Sequence, residues 1–160
     1  MNSKELAEYK YNGARSMVLL HAKYLSLFLQ TWRDAKNKNI VLPKTEDPDY
    51  ESMETLLHHV FRAARGYMTW ICEKLNLPDP GIKVAPEATS VEEEADEYLQ
   101  HLLEKWQLPL TEVEEEKFHP QTYTSRWGAE YCIDAMLEHA VMHPIRHEFQ
   151  LKNLMVSQRT

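Results

Sequence analysis

The sequence predicts an all-α protein, a single domain over residues 1–160 folded as a four-helix bundle with unequal connections. Three observations carry this expectation. Only four residues are Gly, while Leu, Glu, Ala and Met are well represented, a balance that favours helix over sheet. Four segments repeat apolar side chains at the three-and-four spacing of one helix face. No segment shows a clear strand signal, and the connections between the helices differ greatly in length. A chain of about 150 residues buries roughly 70% of the surface it exposes when unfolded, so one core suffices without disulfides.

The first helix is expected from residue 3 to about residue 36, with Leu6, Tyr9, Met17, Leu20, Tyr24, Leu27 and Phe28 along its stripe. Pro43 and Pro48 cannot continue it, because proline lacks the backbone donor and disfavours helix at the preceding residue. Asp49 is the expected N-cap of the second helix. That helix runs to about residue 76 on the stripe Met53, Leu57, Val60, Ala64, Tyr67, Ile71 and Leu75, and a turn at Pro78 to Gly81 ends it. Ser90 is placed to cap a third helix whose first turn is acidic, as the helix dipole prefers, with Val91, Ala95, Tyr98, Leu102 and Trp106 inward. Residues 108–126 contain Pro109 and Pro120 and read as a long ordered connection over the bundle end. The last helix is expected from Arg126 or Trp127 to about Val156, with Ile133, Met136, Ala140, His143, His147, Leu151 and Leu154 inward; Pro144 should bend it.

Charge and composition narrow the function. Twenty-five acidic side chains against 18 basic ones leave a formal charge of −7, with the basic residues scattered, which argues against a nucleic-acid partner. The aliphatic runs are far shorter than the roughly 20 apolar residues a membrane span needs. Two isolated Cys and no apolar leader make a reducing cytoplasm the expected compartment. The glutamate runs at 92–94 and 114–116 read as solvated faces.

Eight histidines in one small domain are the feature that calls for an explanation. His139, His143 and His147 follow one another at intervals of four, each step advancing about 40° around a helix and about 6 Å along it. Neighbours can share an ion, whereas the outer two stand about 12 Å apart. His143 and His147 lie on the buried stripe and form the expected ligand pair; His139, on its flank, is the reserve. Two adjacent buried imidazoles need partners for their ring nitrogens, and a shared ion supplies one. The third ligand is expected from the second helix. There His59 aligns with Leu56, Ala63, Tyr67 and Trp70, whereas His58 shares a face with Glu54, Arg62 and Arg65. His101 and His119 read as surface residues, and His21 as either a core residue or a pocket liner.

The run from His59 through Tyr67 to Trp70, together with His139, His143, His147 and Gln150 at their spacing, resembles the DinB/YfiT-like superfamily of metal-binding four-helix bundles. In that family a second-helix His joins two last-helix His in a pattern that closes His-Arg-Gly-Gln. The resemblance covers most of the chain and implies metal-ligand status for His59, His143 and His147. The chain departs at Glu148 and Phe149, where the family carries Arg and Gly, and Arg146 lies on the other side of His147.

Three neutral imidazoles leave a divalent ion its full charge and an open coordination position, as catalytic sites do. Zinc or nickel is the expected ion, with iron a further option, since imidazole suits all of them. The resemblance implies an enzyme, a thiol S-transferase or hydrolase, acting on a small molecule such as a low-molecular-weight thiol, and relatives that pair imply a homodimer. The alternative is a stress-related metal-binding or interaction protein in which the ion only ties the second helix to the fourth. A cleft open to solvent beside the histidines separates the two. Cys72 and Cys132 read as small apolar residues rather than nucleophiles.

Overall fold

A computed structural model describes residues 6–159, so the expected helix start at residue 3 lies outside the described residues. The chain is mostly helical, with four α-helices and one small two-stranded sheet: α1 Asn12–Asn37, α2 Met53–Lys74, α3 Val91–Trp106, β1 Thr122–Thr124, β2 Glu130–Cys132 and α4 Ile133–Ser157. Single turns of tighter 3-10 helix occur at Pro48–Tyr50 and Glu115–Lys117.

Residues 6–11 are not helical, yet Leu6 and Tyr9 are buried as their apolar character requires. The Tyr9 hydroxyl donates to the Gln107 carbonyl and Lys10 N–H to Thr111 O at 3.0 Å, which lays this segment along the end of α3. α2 begins at Ser52 rather than Asp49. Ser52 Oγ accepts from Thr55 N at 3.0 Å and Thr55 Oγ1 accepts from Ser52 N at 2.9 Å, a reciprocal capping box that satisfies two backbone donors at once. Asp49, three residues earlier, is released to face the helix side.

The core joins all four helices: Leu25, Phe28 and Trp32 from α1, Leu57, Phe61 and Met68 from α2, Leu102 and Trp106 from α3, and Met136, Leu137 and Leu151 from α4 are buried. The two most deeply buried indoles donate to backbone of α2, Trp32 Nε1 to Met53 O at 2.6 Å and Trp106 Nε1 to Ala64 O at 3.1 Å. Their large apolar area is thus buried without an unpaired N–H. α1 packs most extensively against α4. At that seam the buried Glu148 carboxylate accepts from Thr31 Oγ1 at 3.1 Å and from Lys152 Nζ at 2.7 Å.

The expectation of a protein without strands is corrected here. β1 and β2 pair antiparallel, Tyr123 opposite Tyr131, and the turn closes with Ser125 N to Ala129 O at 2.8 Å. Gly128 sits at φ +86°, a backbone conformation that L side chains resist. Residues 130–132 are extended in β2 and Cys132 Sγ caps the helix by accepting from Ala135 N at 3.4 Å, so α4 starts at Ile133 and not at residue 126 or 127. Once begun, α4 continues through Pro144 to Ser157 as one helix. Among the described residues no helix is long and apolar enough to cross a membrane.

Candidate metal centre

α2 and α4 bring three imidazoles together, those of His59, His143 and His147, each offering a ring nitrogen within 4.8 Å of the others. His143 Nε2 and His59 Nε2 are 3.0 Å apart. Two imidazoles bound tetrahedrally at 2.0–2.1 Å stand about 3.3 Å from each other, so one edge of such a site is nearly at its bonded length and the widest needs to close by about 1.5 Å. His143 and His147 meet because one helical turn separates them, as the spacing of four predicts. His59 reaches them from the facing helix.

Polar groups stand behind two of the three rings. His147 Nδ1 lies 3.0 Å from Gln150 Oε1, so it is the Nδ1–H that is donated and Nε2 that is left free. His59 Nδ1 is 2.9 Å from Asp49 Oδ2, in reach of the carboxylate although not aligned along the N–H direction, and Asp49 also accepts from Arg62 Nη2 at 3.0 and 3.2 Å. Carboxylate and amide groups behind ligating histidines fix tautomer and ring orientation.

All three imidazoles are held neutral at pH 7. Burial, then the neighbouring His147 and His59, pushes His143 down to about 2. Burial and His59 push His147 down to about 4, partly offset by Gln150. His59 is lowered by burial against the opposing pull of Asp49. Neutral rings are what a divalent ion requires of imidazole ligands, and ion binding there releases no net proton from an imidazolium at neutral pH.

The triad forms the floor of a cleft of about 580 Å³ whose walls include Tyr50, Tyr67 and Trp70 and the hairpin residues Arg126 and Trp127. His139 lines the same cleft one turn away but is not part of the cluster. Its ring stacks on Trp127 at 5.2 Å and meets Tyr67 edge-on at 5.4 Å.

No family model, curated protein or solved structure matches this chain.

The remaining histidines separate cleanly from the cleft. His58 is half-buried, its Nδ1 2.7 Å from Pro86 O, and His101 Nε2 accepts from Lys83 N at 2.9 Å, so both pin the connection between α2 and α3. His119 is exposed, 3.7 Å from Asp134. His21 lies in the core, stacked on Trp106 at 3.7 Å. Cys72 is buried with its thiol pushed up to about 11, and Cys132 Sγ caps α4 by accepting from Ala135 N at 3.4 Å; neither lines the cleft.

Three features bearing on the site were not singled out by sequence reasoning. Asp49 was assigned to a cap, and ten residues of separation from His59 give no local signal of their contact. Arg126 and Trp127 reach the cleft only because the hairpin folds back over it. Arg146 was legible: it follows His143 by three and His139 by seven, so it shares their face. Glu148, in contrast, points to α1 and is committed to Thr31 and Lys152, while Phe149 is exposed.

Proposed function

We propose that the protein is a metal-dependent enzyme of the DinB/YfiT-like type, with His59, His143 and His147 as ligands of one divalent ion. The observation that carries this reading is the convergence of three neutral imidazoles at the floor of a cleft open to solvent, with Gln150 and Asp49 behind two of them. When bound, zinc or nickel would bring a water or thiol pKa towards neutrality and polarise an electrophile, the chemistry of a hydrolase or thiol S-transferase. The chain's own groups do the rest. Gln150 holds the His147 ring by its Nδ1–H, and Asp49 stands behind His59.

An ion that only tied α2 to α4 would be enclosed by protein ligands, as structural zinc sites are. Here the three rings meet an open cleft, and that favours the enzyme over the structural alternative.

Elemental analysis of the purified protein beside His59→Ala, His143→Ala and His147→Ala tests the reading. The parent is expected to hold one ion per chain and each variant to lose most of it. A parent without stoichiometric metal, or three variants that retain it like the parent, overturns the assignment.

A further inference from the structure

The cleft carries a charge pattern opposite to that of the chain. Arg62, Arg126 and Arg146 all line it, against the single lining carboxylate of Asp47, in a protein with seven more acidic than basic side chains. Arg62 is committed to Asp49. Arg126 and Arg146 form no ion pair with any carboxylate among the described residues. Two guanidinium groups without a carboxylate partner on one cleft give it a locally positive field in an acidic chain.

Gly66 lies in the middle of α2, where glycine costs about 1 kcal/mol relative to alanine. A Cβ there would stand 3.4 Å from Arg126 Nη1, an ordinary van der Waals separation, so the guanidinium lies against this stretch of α2. Arg146 lies on α4 one turn beyond His143, close enough that its charge acts on His139, His143, His147, Tyr50 and Tyr67. Beside Arg126 the Trp127 side chain is 52% exposed, its ring backed by His139 and by Tyr131. An indole stacked on one ring with half its surface exposed leaves apolar area for a planar group.

We propose that the cleft binds an organic oxyanion, a carboxylate or phosphate carried on a planar apolar body, with the anionic group between Arg126 and Arg146 and the body against Trp127 and Tyr67. This names the substrate class of the proposed metal centre and so rests on that reading. Guanidinium forks match both oxyanions in a bidentate manner, so the two are one chemistry at this site.

The test is titration calorimetry with benzoate, phenyl phosphate and neutral benzyl alcohol, on zinc-loaded and on chelator-treated protein, with zinc content measured on the same preparations. At least one oxyanion is expected to bind about tenfold or more tightly than benzyl alcohol in both forms, the size of one charge-assisted hydrogen bond. Arg126→Gln and Arg146→Gln should each weaken that oxyanion by about tenfold and leave benzyl alcohol unchanged. Arg126→Lys and Arg146→Lys, which keep the charge and the bulk, should recover part of the loss. Both arginines are exposed, and unchanged circular dichroism confirms the folds of the variants. Equal binding of all three probes, no binding of any, or glutamine variants with undiminished oxyanion affinity overturns the inference. Zinc held at one per chain with no oxyanion preference defeats the substrate class alone. Arginine-dependent oxyanion binding by a protein that holds no zinc defeats the metal centre and leaves the oxyanion site standing.

Discussion

Replacing His21 by Phe should make the fold less sensitive to acid, by an amount that the structure sets. The His21 ring is 1% exposed, stacked on Trp106, and neither ring nitrogen has a hydrogen-bond partner among the described residues. Burial alone pushes its pKa from 6.5 down to about 3. The unfolded chain therefore binds the proton at higher pH than the folded one, so stability is lost as pH falls through 6.5 and goes on falling until about pH 3. Between pH 7 and pH 5 the unfolded imidazole gains about 1.9 kcal/mol of proton binding and the folded imidazole almost none. At pH 7 the substitution combines two opposing effects. Relief of two unpaired nitrogens is worth about 1–3 kcal/mol each, and the added bulk of the phenyl ring costs about 1–3 kcal/mol. The stability difference between variant and parent at one pH thus mixes packing with solvation, whereas its change with pH does not. Urea unfolding of both proteins at pH 7 and pH 5, with chelator throughout so that metal binding is the same in each, should show the difference moving by about 1.9 kcal/mol in favour of the variant. A difference independent of pH would refute the reasoning, because it would mean that the buried ring takes up its proton as readily as a free one.

Two further outcomes test the site and the fold. Gln150→Leu and Asp49→Asn should each weaken zinc binding by about 10–100-fold, since each removes the group behind a ligating imidazole. Competition against a chromophoric chelator measures this, and parental affinity in both variants would show that the rings are oriented by packing alone. Ser52→Ala opens the capping box of α2 and should cost about 1 kcal/mol in thermal or urea unfolding; an unchanged transition would show that Thr55 alone holds the helix start.

Helix existence was readable because each helix buries one face, and burial imposes a 3.6-residue period on the sequence. The ends were less legible, for local reasons. Asp49 and Ser52 are both good caps by residue type, and the choice fell to Ser52 because Thr55 could complete the reciprocal pair while Asp49 met His59 and Arg62 across the turn. The stretch from Thr122 to Cys132 is rich in Thr and Tyr around Gly128, a hairpin signature that the expected connection over 108–126 and the expected helix from residue 126 or 127 leave unread. Exposure on both strands left no alternating apolar face to announce it.

The same division runs through the candidate site. His143 and His147 are one turn apart on one helix, and His59 shares the inward face of another, so their common direction is a consequence of chain geometry that the sequence by itself determined. What only the tertiary structure decided is everything that depends on segments distant in sequence approaching one another: the 3.0 Å meeting of His59 with His143, Asp49 behind His59, and the hairpin that carries Arg126 and Trp127 to the cleft. The physical reason is that periodicity records which face of an element is buried, while the partner of that face is chosen by packing among elements, a choice no single segment encodes.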